Sequence, residues 1–174
     1  MEAAGYATFL GAHLRIEPDW STVYTTDQGQ DILGLYIKHM KKAGFQPTSA
    51  VYAASGIFSY ANSTEIERVR ARLSAAGVCG TLLYKEMLLP HEAFQGLHSE
   101  QLALVDLLVL TRAQKLVGDG RSSFAGFLNQ YRVLQGQPRD SFYNIQPRFN
   151  PFVFTRRRWL LQQHQQQAGS CVWC

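Results

Sequence analysis

Hydrophobic positions along the chain alternate between short apolar runs and longer segments in which apolar residues recur every three or four positions. Short runs are typical of buried strands, and the longer pattern is typical of amphipathic helices. The pattern predicts strands over residues 6–14, 50–54, 81–84 and 116–117. Helices are predicted over residues 29–43, 62–77, 99–109 and 122–135. The chain is therefore predicted to consist of four strand–helix units in succession.

Polar residues mark several ends of these elements. Asn62 with Glu65 three positions later is a capping pattern, and Ser99 is predicted to cap the third helix. Ser55 and Gly56 are expected to begin a loop after the second strand. The stretch from residue 85 to residue 98 contains a proline and is expected to be irregular. Pro18 is expected to end the first unit's extended segment.

Strands that alternate with helices predict an α/β fold, here a Rossmann-like, mainly parallel sheet with helices on both faces. In such a sheet the carboxyl ends of the strands lie at one edge, and ligands bind beyond that edge. Polar residues come after every predicted strand, namely His13 and Arg15, Ser55 and Gly56, Lys85 and Glu86, and the turn from Gly118 to Ser123. We therefore expect a nucleotide or phosphate site at this edge.

The fourth unit carries the most specific local signal. The apolar run 116–117 breaks at Gly118 and Gly120, and helical periodicity resumes from Ser122. The start of a helix has backbone N–H groups without partners and a partial positive charge, so it can hold a phosphate. Ser122 and Ser123 would add hydroxyl donors, and the glycines would let the backbone approach a ligand closely. A turn in which Ser122 only caps the helix has the same pattern, so both interpretations stay open here.

Three charged or titratable residues near these elements also have ordinary structural explanations. His13 and Arg15 are two positions apart, so they project to the same side of an extended backbone. The ordinary explanation of His13 is a core histidine whose hydrogen bonds are satisfied. That of Arg15 is an ion pair with Glu17 or Asp19. Asp106 lies beside an apolar helical stripe. Because burying an unpaired carboxylate is costly, Asp106 is either at a helix edge in water or held for a purpose.

Composition limits the classes of protein. The chain has 174 residues, 46% hydrophobic and 17% charged, which indicates a globular domain of ordinary size. The net charge of +4 suits an anionic ligand. RNA binding is a further interpretation, and it would depend only on the arginine run 156–158. The longest apolar run, 107–110, is too short to span a membrane, and no secretory signal is visible. Of Cys79, Cys171 and Cys174, the last two form a lone C-x-x-C, which is a weak metal or redox signal.

Two runs of the sequence resemble motifs of one enzyme family. The run 13–20, His-Leu-Arg-Ile-Glu-Pro-Asp-Trp, is similar to the His-Leu-Arg motif of GDP-fucose protein O-fucosyltransferases. The run from Val105 and Asp106 through Gly-Asp-Gly-Arg-Ser-Ser-Phe to Arg132 resembles the second motif of the same enzymes. Residues 135–143 resemble the segment just after that motif in the type that modifies EGF-like repeats. The likeness covers roughly residues 8–149.

What this resemblance implies is the carboxyl-terminal, Rossmann-like half of a two-domain GT-B glycosyltransferase. Such an enzyme is an inverting, metal-independent peptide O-fucosyltransferase of the endoplasmic reticulum or Golgi lumen. By similarity, Arg15 is the catalytic residue and binds the diphosphate of GDP-fucose. Ser122, Ser123 and Phe124 would hold the diphosphate from the other side, Phe124 through its backbone.

The resemblance also assigns the nucleoside end of the donor. His13 and Asp106 match positions that contact the nucleoside. Ser55 stands where the EGF-modifying enzymes have an aspartate that accepts from the guanine edge. Because a serine hydroxyl cannot accept from both N1 and N2 of guanine, guanine selectivity does not follow from the resemblance.

Expectations about organisation and partners come from the same family. Residues 1–154 are expected to form a GDP-sugar-binding domain, and residues 155–174 a basic, Gln-rich tail that is poorly ordered. GDP-fucose is the donor substrate; no cofactor, metal, nucleic acid or membrane span is expected. The acceptor would be Ser or Thr of a protein such as one with EGF-like repeats. The family's amino-terminal half, with its glycine-rich loop and asparagine, is not matched. An inactive module that still binds a nucleoside diphosphate is therefore the alternative.

Overall fold

The computed structural model describes residues 8–17 and 31–146. Five strands form one sheet in the order β3-β2-β1-β4-β5, and every neighbouring pair is parallel. The strands are β1 (Leu10–His13), β2 (Ala50–Ala54), β3 (Thr81–Leu83), β4 (Leu116–Gly118) and β5 (Phe142–Asn144). The helices are α1 (Ile32–Lys42), α2 (Gly56–Tyr60), α3 (Ser63–Ala75), α4 (Lys85–Leu88), α5 (Ser99–Thr111) and α6 (Ser123–Leu134), with short 3₁₀ segments at His91–Phe94 and Arg139–Ser141. The predicted α/β, Rossmann-like fold is confirmed.

Helices cover both faces of the sheet and enclose two hydrophobic cores. Alternate residues of β2 serve different cores, because successive side chains of a strand point to opposite faces. Val51 and Ala53 face the core built with α1 and α3, whereas Tyr52 and Ala54 face the core built with α5 and α6. The chain runs outward from β1 to β3 and then crosses to β4, so right-handed crossovers place the later helices on the other face. A crevice therefore opens at the carboxyl ends of β1 and β4.

Several helix ends agree with the signals in the sequence. The Asn62 side chain accepts a hydrogen bond from the Glu65 backbone N–H at 3.0 Å, and α3 begins at Ser63. Gly136 lies just beyond α6 with a φ of +85°, in the left-handed region that favours glycine. Local chemistry thus sets the start of α3 and the end of α6 where the pattern predicts.

Other boundaries differ from the prediction because short elements have too little length to show a period. The first strand begins at Leu10, so its predicted residues Thr8 and Phe9 precede it. Ser55 does not begin a loop: its hydroxyl accepts from the Ile57 N–H at 3.4 Å, and the five-residue α2 begins at once. The stretch 85–98 is not irregular throughout, since it contains α4 and a 3₁₀ segment.

Two further corrections concern α5 and the last strand. The cap of α5 is His98, not Ser99. The Gln101 side chain accepts from the His98 N–H at 2.8 Å, so the chain turns into the helix one residue earlier than predicted. The sequence pattern does not predict β5, which is three residues long and pairs only with β4. Its apolar positions are too few to distinguish a strand from a loop.

Some predictions lie outside the described residues, namely the start of the first strand, Pro18 and Asp19, and the tail 155–174 with its arginine run and two cysteines.

Cys79 is a buried free thiol, and burial raises its pKa to about 11. Within residues 8–17 and 31–146, no helix combines the length and apolarity needed to cross a bilayer. In the same ranges no cluster of three His, Cys, Asp or Glu side chains could hold a metal ion.

Candidate functional site

The polar residues at the carboxyl edge of the sheet surround a cavity of about 320 Å³. Its walls come from the end of β1 and the loop after it, the starts of α2, α4 and α6, and one side of α5. Ligand sites in proteins typically measure about 300–1,000 Å³, so the cavity has the size of a small organic ligand. All seven residues that the resemblance assigns to the donor line it: His13, Arg15, Ser55, Asp106, Ser122, Ser123 and Phe124.

Arg15 lies in the loop after β1, where two elements hold it. Its backbone N–H donates to the Tyr36 hydroxyl of α1 at 3.0 Å. Its Nη1 lies 2.9 Å from Glu17 Oε2, so the ion pair offered as an ordinary explanation is present. Glu17 Oε1 in turn accepts from the Gly56 N–H at 2.6 Å and from the Ser55 hydroxyl at 3.1 Å. The carboxylate therefore joins this loop to the start of α2 and orients the guanidinium at the cavity wall.

His13 ends β1 and stacks on Phe124 of α6, with ring centroids 4.5 Å apart and 25° between the planes. The side chain is only 8% exposed. Burial, assisted by the charge of Arg15, lowers its pKa to about 4, so the imidazole is neutral at physiological pH. Its Nδ1 is buried and has no hydrogen-bond partner among the described residues. His13 is thus not the satisfied core histidine, and it brings the end of β1 against the start of α6.

Contacts within the protein hold the turn between β4 and α6. Asp119 is fully buried, and its side chain accepts from the Arg121 N–H at 3.0 Å. Its carbonyl accepts from the Ser122 N–H, also at 3.0 Å. The Gly120 N–H donates to Asn144 Oδ1 of β5 at 2.9 Å. The turn is therefore held in one shape before any ligand arrives.

The two glycines of this turn serve packing and not ligand approach. A Cβ on Gly118 would lie 3.1 Å from the Phe142 ring, and one on Gly120 would lie 2.7 Å from Asn144. Both neighbours belong to β5, and neither glycine is part of the cavity wall. The expectation that these glycines let a ligand approach is therefore wrong. Their lack of a side chain instead lets β5 pack closely against the turn.

The start of α6 presents backbone donors at the cavity. Ser122 is the N-cap, as predicted, but its side chain makes no capping hydrogen bond. Its carbonyl accepts the first helical bond, from the Gly126 N–H at 2.9 Å. The N–H groups of residues 123–125 have no carbonyl one turn earlier, and the helix dipole adds partial positive charge there. Because residues 122–124 line the cavity, this helix end can hold an anion in it.

The opposite side of the cavity holds a buried charge network. Asp106 is 5% exposed; its Oδ1 accepts from the Tyr52 hydroxyl at 2.7 Å, and its Oδ2 accepts from Lys85 Nζ at 2.8 Å. Lys85 Nζ also lies 3.0 Å from Glu86 Oε1. Two carboxylates therefore share one ammonium, and this side of the cavity has negative charge in excess. Asp106 is not at a helix edge in water.

The pKa shifts result from this arrangement. Burial raises the pKa of Asp106 above its ordinary value, although the hydrogen bonds from Lys85 and Tyr52 oppose the rise. Burial alone would lower the pKa of Lys85, but the hydrogen bonds and charges of Asp106 and Glu86 outweigh it and raise that pKa. Burial, with the charge of Asp106, also raises the pKa of Tyr52. Lys85 is therefore charged and Tyr52 neutral at physiological pH.

Sequence reasoning misses part of the site. From the sequence, Lys85 is expected only to come after the third strand, and Glu17 only as an ion-pair partner of Arg15; both line the cavity. Ser59, Tyr60 and Leu102, also in its wall, have no signal in the sequence that would identify them. Conversely, Ser55 lines the cavity as expected, yet its hydroxyl is already engaged by Glu17 and by the start of α2.

Comparison with models of known protein families gives no match, and comparison with curated proteins gives no significant one. The two motifs therefore remain a resemblance, and the function of the site is interpreted from its geometry.

Proposed function

We propose that the chain binds a nucleoside-diphosphate sugar, GDP-fucose as the motifs imply, and is a protein O-fucosyltransferase or the donor-binding half of one. One observation carries the proposal: Arg15 and the start of α6 line the same cavity, beside the crevice between β1 and β4. A pyrophosphate in this cavity would be near a guanidinium, the backbone donors of α6 and the hydroxyls of Ser122 and Ser123. This set of donors matches the charge and the acceptor oxygens of a diphosphate.

The same donors suit the chemistry of sugar transfer. The bond between the anomeric carbon of fucose and the diphosphate oxygen breaks, and its electron pair stays with the leaving GDP. The hydroxyl oxygen of an acceptor Ser or Thr forms the new bond from the opposite face, with inversion at carbon, and its proton passes to a base. Arg15 and the α6 terminus stabilise the negative charge that grows on the diphosphate, and their fixed positions avoid reorganisation during the reaction.

The base for the acceptor proton would come from outside the described cavity residues. The carboxylate of Glu17 is engaged by Arg15, Ser55 and Gly56, and that of Asp106 by Tyr52 and Lys85. In this proposal the family's amino-terminal half, or the acceptor itself, supplies the base in the lumen of the endoplasmic reticulum or Golgi. The same engagement favours the second candidate, a module that binds a nucleoside diphosphate without turnover.

Calorimetry with GDP tests the binding step. Arg15→Ala removes charge-assisted hydrogen bonds worth about 1.5–3 kcal/mol, so affinity is expected to fall about 10- to 150-fold. Arg112→Ala is the matched control, because Arg112 is exposed and lies outside this cavity, and its affinity should equal that of the wild type. Absence of GDP binding by the wild type, or unchanged affinity of Arg15→Ala, overturns the proposal.

Turnover separates the two candidates. Release of GDP from GDP-fucose in the presence of an EGF-repeat acceptor supports the transferase, and Arg15→Ala should then lower turnover about 10²- to 10³-fold. Binding without release in the presence of acceptor supports the module.

A further inference from the structure

We infer that Lys85, together with Tyr52, is a positioning residue that holds Asp106 as an ionised hydrogen-bond acceptor for the nucleoside end of the ligand. The inference rests on the proposed function, because it concerns the same cavity and the same ligand. It assigns roles to two residues that neither the motifs nor the diphosphate chemistry require.

The burial of Asp106 makes a partner necessary. A carboxylate that is 5% exposed on the sheet-facing side of α5 loses most of its hydration, which favours the protonated form. A protonated Asp106 would present one O–H donor and a weaker acceptor. Lys85 opposes this change with a charge 2.8 Å from Oδ2, and Tyr52 opposes it with a hydrogen bond of 2.7 Å to Oδ1.

The geometry also leaves the carboxylate capacity for a ligand. Each oxygen of an ionised carboxylate has about two acceptor positions, and each oxygen of Asp106 uses one of them on Tyr52 or Lys85. Asp106 and Lys85 both line the cavity, whereas Tyr52 supports Asp106 from the sheet beneath. An acceptor-only group at this place suits the hydroxyl or N–H donors of a nucleoside.

Lys85 acts through Asp106 because its own donors are committed. Nζ lies 2.8 Å from Asp106 Oδ2 and 3.0 Å from Glu86 Oε1, and it donates to the Ser59 hydroxyl at 3.4 Å. An ammonium has three donors, so none is left for a ligand. Removing the ammonium would leave the carboxylates of Asp106 and Glu86 facing each other in a buried place, which raises the pKa of Asp106 further.

The charged and titratable groups that face Asp106 are Tyr52 from β2 and Lys85 and Glu86 from α4. Elsewhere in the cavity wall are His13, Arg15, Glu17 and Tyr60. Among these, His13 titrates near pH 4, so its charge does not change between pH 6 and pH 8. A change of ligand affinity in that range therefore reports Asp106 once the titration of the ligand itself is subtracted.

The test measures GDP affinity by calorimetry at pH 6, 7 and 8 for the wild type and Lys85→Met. The result is expressed at each pH as the dissociation constant of the variant divided by that of the wild type. The ratio is expected to grow at least tenfold from pH 8 to pH 6, because Asp106 becomes protonated in the variant only. Lys85→Arg keeps the charge and should restore a ratio that does not vary with pH. The double variant Lys85→Met with Asp106→Asn should bind weakly but with a flat ratio. Lys42→Met, on the exposed end of α1, is the matched control.

The outcomes separate this inference from the proposed function. No GDP binding by the wild type overturns both. If the wild type binds GDP and the Lys85→Met ratio stays constant from pH 8 to pH 6, only the inference is overturned. The network then has a purely structural role. Should Lys85→Met fail to fold, Tyr52→Phe replaces it, since it removes one hydrogen bond and keeps the ring. Its ratio should grow about threefold over the same range, and a constant ratio overturns the inference.

Discussion

Replacement of Arg132 by methionine should destabilise the domain severely without touching the cavity. Arg132 is 1% exposed, and no carboxylate of the described residues pairs with it. Its Nη1 donates instead to the carbonyls of Leu110, Thr111 and Ala113 at 2.8, 3.1 and 2.7 Å, and its Nη2 donates to Ser141 Oγ at 2.9 Å. Burial lowers its pKa to about 10, so it is charged at neutral pH. One guanidinium thus joins α6, the end of α5 and the segment before β5.

The size of the expected destabilisation follows from the acceptors that lose the guanidinium as a donor. The last carbonyls of a helix have no intrahelical partner, so Arg132 satisfies acceptors at the end of α5 that methionine cannot reach. The Leu110 carbonyl keeps the Ala113 N–H as a donor at 3.2 Å, so three acceptors lose their donor, namely the carbonyls of Thr111 and Ala113 and the Ser141 hydroxyl. At about 1–1.7 kcal/mol each, these losses sum to about 3–5 kcal/mol. A domain has a free energy of unfolding of about 5–15 kcal/mol, so the variant loses a large part of it.

Urea unfolding followed by circular dichroism measures this loss. With a slope of about 2 kcal/mol per molar urea, the midpoint should fall by about 1.5–2.5 M. Arg112→Met makes the same chemical change on an exposed arginine near the end of α5 and should shift the midpoint by less than about 0.3 M. A fall of less than about 0.5 M in Arg132→Met would refute the reasoning, because the four contacts would then contribute almost nothing.

Two smaller effects are expected at other residues. The pKa of His13 is lowered to about 4, so the unfolded chain binds its proton more tightly, and stability is lost as pH falls from about 6.5 to about 4. Over that pH range the free energy of unfolding of the wild type should fall by about 3 kcal/mol more than that of His13→Gln. Urea unfolding at the highest and lowest pH measures both losses, and equal losses would contradict this prediction. Asn62→Ala should lower the thermal midpoint by about 2–4 °C through loss of the α3 cap, whereas Ser74→Ala, exposed on the same helix, should not. Equal midpoints in these two variants would show that the cap contributes nothing.

The sequence was sufficient for the fold and for most of the cavity wall, because both depend on local or topological rules. Strand and helix periods differ, so their alternation identifies the strand–helix units, and right-handed crossovers then force a parallel sheet. Because carboxyl ends of parallel strands share an edge, Arg15 and Ser122 had to lie at the same edge although they are far apart in the chain. The cap at Asn62 was visible because its partner lies only three residues away.

Only the tertiary structure decided how the charges of the cavity are paired. Nothing in the sequence says that Lys85, Tyr52 and Asp106 meet, because they come from different elements and their contact depends on the order of the strands. The same holds for His13, whose low pKa comes chiefly from burial. Desolvation and long-range pairing are properties of the packed molecule. They become visible only when the sheet is assembled and the helices exclude water from its edge.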